Sequence, residues 1–156
     1  MKQSAIQRMS VEMHLQNASA ATDTPSEEDF RRWAEAALES EESAVLTIRL
    51  VDREESRALN SGFRHQDKST NVLSFPADLP PEIDLALLGD IVICAPLVEQ
   101  EAKEQGKPAL AHWAHLSIHG IFHLLGYDHQ NDEQACEMEA LEVACLDRLG
   151  FPNPYL

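Results

Sequence analysis

Three histidines in the stretch HGIFHLLGYDH, His119 to His129, have a spacing with chemical meaning. If the stretch begins as a helix, His119 and His123 project about 40° apart on one face, one turn above the other. Two imidazoles so placed can chelate a single ion. Gly126 then ends the helix, because a left-handed residue at the C-terminus turns the chain sharply, and the turn brings His129 back toward the pair. Three neutral ring nitrogens converging in this way leave one coordination side open, which suits catalytic zinc. The spacing equals the zinc-peptidase pattern H-E-x-x-H-x-x-G-x-x-H at every position but one. Gly120 stands where the peptidase keeps its general-base glutamate. A metal site is expected; a peptidase is not.

Other groups near this motif could serve it. Asp90 of LGD and Asp128 of YDH are candidates to orient a histidine or to accept a proton. His115, one turn before His119, is a candidate to line the cleft. The cysteines Cys94, Cys136 and Cys145 form no CxxC pair and read as buried free thiols rather than ligands.

The elements that must position these residues follow from the hydrophobic pattern. SVEMHLQNA alternates as a strand. TPSEEDFRRWAEAAL reads as a helix with Thr24 as cap, Pro25 in the first turn and Glu27 closing a capping box. AVLTIRLVD is a second strand with Leu46, Ile48 and Leu50 on one face, and Asp52 can cap a short helix that Gly62 ends. TNVLSFP is a third strand, and LALLGDIVICAPL a fourth whose nearly continuous apolar run implies burial on both faces. Three helices follow, at about 96–105, 108–125 and 133–149, each with a glycine just beyond its end. Four strands mixed with five helices make one α/β (α+β) domain over 9–156, with 1–8 expected as a disordered tail.

Charge narrows the partners. The 156 residues carry a net charge of −15, which argues against non-specific DNA or RNA binding. The skew is local: between Arg49 and Lys68 the basic residues Arg49, Arg53, Arg57, Arg64 and Lys68 outnumber the acidic ones. An anionic ligand is expected to approach along that segment. No run is long and apolar enough for a membrane helix, nor does the N-terminus carry a secretory signal.

The blocks LNSGFRHQDKSTN, TNVLSFP, LGDIVIC and HGIFHLLGYDH, in this order along the chain, resemble the YbeY family of bacterial endoribonucleases, which mature ribosomal RNA. The resemblance runs from Met9 to Tyr155. It implies one zinc ion per chain at His119, His123 and His129, and a functional arginine at Arg64. It also implies a mixed four-stranded sheet with one antiparallel strand, flanked by about five helices, one of them a metzincin-like zinc helix. The implied substrate is single-stranded ribosomal RNA at the 3′ end of the small-subunit RNA, cut in the cytoplasm during maturation and ribosome quality control. Small-subunit proteins and ribosome-assembly factors would be its partners, with no role for DNA or a membrane. One departure stands out: where the family commonly has Gly-Lys-Asp after the arginine, this chain has His65, Gln66 and Asp67. Lys68 is the nearest replacement for the lost charge. The alternative function is a non-catalytic ribosome-assembly factor with structural zinc.

Overall fold

Alternation of apolar and polar side chains builds the first two strands. β1 (Ser10–Asn17) buries Met13, and β2 (Ser43–Val51) buries Ala44, Leu46, Ile48 and Leu50 on one face. They run parallel, with Met13 opposite Leu46. β3 (Val72–Pro76) and β4 (Leu87–Cys94) complete the sheet in the order β1-β2-β4-β3. β4 is parallel to β2, and β3 is antiparallel to β4, so the sheet is mixed with one antiparallel strand, as expected. Ile91, Val92, Ile93 and Cys94 are buried in succession, which matches the unbroken apolar run of an inner strand. The computed structural model describes residues 10–39, 41, 43–66, 68–80 and 86–156; the expected tail at 1–8 lies outside them.

Five helices flank the sheet: α1 (Glu27–Ala37), α2 (Arg53–Arg64), α3 (Ala95–Gln105), α4 (Ala109–Leu124) and α5 (Asp132–Arg148). The main core lies between one sheet face and α1, α4 and α5. There Phe30 meets Trp33 at 5.3 Å and Trp113 at 5.9 Å between ring centroids, both edge to face, an arrangement that favours the ring quadrupoles. On the other face Val51, Leu73, Val92 and Cys94 form a smaller cluster closed by Leu59 and Leu97.

Two helix starts are capped differently from the sequence expectation. α1 is capped by Ser26, not Thr24: Asp29 N donates to Ser26 Oγ at 3.1 Å and Ser26 N donates to Asp29 Oδ2 at 3.2 Å. This register puts Pro25 just before the cap and Phe30 at the fourth helical position, both buried, which are the two positions of a hydrophobic staple. Asp52 precedes α2 but does not cap it with its side chain. Its carboxylate accepts instead from Ser19 Oγ at 2.6 Å and Ala20 N at 3.1 Å, bonds that lower its pKa.

α2 also runs through Gly62 to Arg64 and ends on His65, left-handed at φ 57°. The extra turn sets Phe63 edge-on to Phe75 at 5.1 Å. Histidine tolerates that backbone region better than β-branched residues do, at a cost of about 1–2 kcal/mol relative to glycine. Of the three thiols, Cys94 and Cys145 are buried as expected, while Cys136 is exposed on the outer side of α5.

Candidate metal centre

α4 crosses β3 and β4 at very short range. A Cβ on Gly120 would lie 3.1 Å from Ile91 Cγ2 and 3.3 Å from Ser74 Oγ, and Ser74 Oγ donates to Gly120 O at 3.1 Å. The position of the peptidase glutamate is therefore a point of close helix–sheet contact. One residue before Gly120 and three after it, His119 and His123 face a cleft of ≈ 550 Å³. Behind them the helix stops: Gly126, at φ 103°, donates to His123 O at 3.0 Å while Tyr127 N donates to Phe122 O at 3.0 Å. This pair of bonds is a Schellman closure, which needs a residue free to turn left-handed. The reversed chain brings His129 into the same cleft.

The three imidazoles gather closely. His119 Nε2 and His123 Nε2 are 3.1 Å apart; two nitrogens sharing a tetrahedral zinc at about 2.0–2.1 Å would be separated by about 3.3 Å. The His129 ring lies 5.6 Å from His119 and 5.1 Å from His123 between centroids. One ring nitrogen from each of the three falls within 4.8 Å of the others. Burial lowers the pKa of His123, and the positive charge of His119 and His129 lowers it further. Both effects favour the neutral ring, the form that can donate a lone pair. An all-imidazole set with an open side fits a zinc-like ion.

The remaining candidates divide between this cleft and elsewhere. Arg64, at the end of α2, lines the same cleft as the histidines, and among the described residues no carboxylate pairs with it. Asp128 also lines it, and its Oδ1 accepts from His129 N at 2.7 Å. Asp90 does not: strand parity turns Ile91 toward Gly120, so Asp90 faces the other side of the sheet, in a groove with Thr47 and Arg49. His115 lies outside the cleft as well, its Nε2 bonded to Glu142 at 2.8 Å. Lys68 is exposed and does not line the cleft, whereas Gln66 does.

Sequence reasoning missed three buried polar residues that hold this site. Ser56 Oγ donates to Thr70 O at 2.8 Å and accepts from Thr70 N at 3.0 Å; Asn60 Nδ2 donates to Lys68 O at 2.9 Å. These bonds tie the segment after Arg64 back onto α2. Glu142, the third, is fully buried on α5 and accepts from His119 Nδ1 at 2.6 Å, from His115 and from Tyr155. Burial alone would raise its pKa, but the bonds from His115, His119 and Tyr155 and the charge on His119 outweigh it and hold the carboxyl down to about 2. A signal was present: Glu142 shares the buried stripe of α5 with Met138, Cys145 and Leu146, where an unpaired carboxylate would not be tolerated.

The YbeY endoribonuclease family model matches residues 13–150. The chain belongs to the YbeY family. The protein named endoribonuclease YbeY from Pseudomonas fluorescens is 58% identical over 147 residues, covering 93% of this chain and 96% of its own. Its namesake from Pseudomonas entomophila is 56% identical over 147 residues, with 93% of each chain covered. A solution structure from Thermotoga maritima superposes with a TM-score of 0.57 at 26% identity, over 90% of this chain and 91% of that one. His65 occupies a left-handed position that a glycine would adopt without strain.

A further buried histidine predicts how this YbeY chain responds to acid. Burial lowers the pKa of His112, with Glu101 opposing from 2.9 Å, and His123 is shifted the same way. The unfolded chain therefore binds these protons first, so stability is greatest above about pH 6.5 and falls as pH drops through the folded values. Thermal unfolding of metal-free protein at fixed ionic strength should give a lower Tm at pH 5.5 than at pH 7.5. A His112→Gln variant should show a shallower dependence; an unchanged slope would contradict the assignment.

Proposed function

We propose that the chain is a zinc-dependent endoribonuclease that cuts single-stranded ribosomal RNA, at the 3′ end of the small-subunit RNA, in maturation and quality control of ribosomes in the cytoplasm. Residues 9–156 act as one domain, with small-subunit proteins and ribosome-assembly factors as partners. The observation that carries this reading is the shared cleft, in which three imidazoles and the Arg64 guanidinium line one space of ≈ 550 Å³. The printed name of the relatives, endoribonuclease, supports RNA as the substrate.

His119, His123 and His129 hold the ion. When bound, zinc supplies Lewis-acid polarisation of a phosphoryl oxygen. Arg64 presents a planar, permanently charged fork that matches two phosphate oxygens and fixes the strand across the cleft. Asp128 is the one carboxylate among the described lining residues and takes the role of proton acceptor. The open side of the site favours catalysis over the structural-zinc alternative. Structural zinc sites close with four protein ligands, whereas three donors gather here among the described residues.

The test is cleavage of single-stranded RNA by homogeneous zinc-loaded protein at one stated salt concentration, since salt sets the affinity. Arg64→Ala should keep its zinc and lose about 10²-fold in kcat/KM, the equivalent of about 2–3 kcal/mol of charged hydrogen bonding. Arg64→Lys should recover only part of it. Identical trace cleavage by wild type and Arg64→Ala would mark a contaminant and overturn the reading. A cyclic phosphate end would exclude direct attack by water and assign it to the neighbouring 2′-hydroxyl.

A further inference from the structure

Glu142 is the one carboxylate fully buried among the described residues. It lies on α5 with donors on three sides: His119 Nδ1 at 2.6 Å on Oε2, and His115 Nε2 at 2.8 Å together with the Tyr155 hydroxyl on Oε1. His115 Nε2 also lies 3.1 Å from the Tyr155 oxygen. At 2.6 Å the carboxylate oxygen accepts from His119 Nδ1, so that nitrogen carries a proton. In the neutral imidazole the other nitrogen, Nε2, then keeps its lone pair, and it is this atom that stands 3.1 Å from His123 Nε2.

Packing alone does not call for a charge here. Met138, Cys145 and Leu146 fill the same buried stripe, and replacing a buried ionic group by an apolar side chain of similar volume is often neutral or stabilising. The third donor comes from the end of the chain. Lys107 Nζ donates to Pro154 O at 2.9 Å and the Phe151 ring meets Trp33 at 6.3 Å, and these contacts deliver Tyr155 to the carboxylate.

We propose that Glu142 is a positioning residue of the metal centre: it locks His119 in the tautomer that offers Nε2 to the ion, and His115 and Tyr155 hold the carboxylate in place for it. The C-terminal segment is thereby a working part of the centre. This inference rests on the zinc reading above and deepens it. His115, His119 and Glu142 could themselves be grouped as metal donors, but their donor atoms are already satisfied by one another, so the carboxylate serves the first site instead of forming a second.

The test measures zinc affinity by chelator competition and zinc content per chain. It also reads the His119 tautomer by long-range proton–nitrogen NMR of the metal-free protein, a property that a merely structural residue would not set. Wild type should bind one zinc with His119 protonated on Nδ1. Glu142→Gln should bind zinc about 10–100-fold more weakly, as removal of such a partner generally does, and lose the single tautomer. Tyr155→Phe removes one hydroxyl and keeps the fold; it should weaken zinc several-fold, with little added effect in the Glu142→Gln background. If Glu142→Gln does not fold, Tyr155→Phe and the wild-type tautomer decide.

Affinities within twofold of wild type in the folded variants would overturn the inference alone. So would wild-type His119 protonated on Nε2, or two zinc ions per chain, which would make Glu142 a ligand. A wild type that takes up no zinc would overturn the reading it rests on as well.

Discussion

Replacing His119 by alanine is expected to abolish stoichiometric zinc uptake and to lower RNA cleavage by about 10³-fold or more. Lewis-acid stabilisation of a developing phosphoryl charge is worth several kcal/mol, and each 1.36 kcal/mol is a tenfold change in rate. The variant carries a second effect, because Glu142 then loses one of its three donors inside the protein. An unsatisfied buried acceptor costs about 1–3 kcal/mol, so His119→Ala should also unfold earlier. His129→Ala separates the two effects. Its ring is exposed and takes no part in the Glu142 network, so metal and activity should be lost with the unfolding midpoint of the metal-free protein unchanged. Metal analysis, cleavage rate and denaturation on the same preparations decide it. One zinc per chain retained in either variant would remove that histidine from the ligand set.

Gly120→Glu should be among the most damaging single substitutions in the chain, and for a reason unrelated to metal. Its first carbon would already press on Ile91 at 3.1 Å and on the Ser74 hydroxyl at 3.3 Å. Forcing further atoms into a packed helix–sheet contact costs about 1–3 kcal/mol, and a carboxylate buried there without partners adds several more. The sum approaches the 5–15 kcal/mol, in order of magnitude, that stabilises a domain of this kind. The expected result is insoluble protein, or a urea midpoint far below that of wild type. A well-folded Gly120→Glu with a midpoint near wild type would mean that α4 stands further from the sheet than these distances show. The peptidase alternative meets the same obstacle: the position that would carry its base is filled by the sheet.

The histidine motif was legible because its geometry is local. Four residues along a helix and one glycine-made reversal determine where three rings point, whatever the rest of the chain does. Strand faces were legible for the same reason: alternation at Leu46, Ile48 and Leu50 states which side is buried before any partner strand is known. Helix ends were less so, since Thr24 and Ser26 both satisfy the capping pattern locally, and burial of Pro25 and Phe30 selects between them. Packing also carried α2 past Gly62, so that Arg64 reaches the cleft from the last turn of a helix instead of from a loop.

Which carboxylates reach the centre was decided by tertiary structure. Asp90 and Asp128 both stood near informative motifs, yet β4 in its observed register turns Asp90 away from α4, while the turn after Gly126 keeps Asp128 in the cleft. Glu142, 23 residues beyond His119, reaches it only because α5 packs beside α4, and Tyr155 joins them from the end of the chain. By itself, then, the amino-acid order determined which three imidazoles meet at the cleft, since that depends on dihedral angles within a few turns of chain. Which acids support them, and which nitrogen of His119 is left free, was decided by how separate elements pack, because hydrogen bonds between distant residues exist only once the core has brought them together.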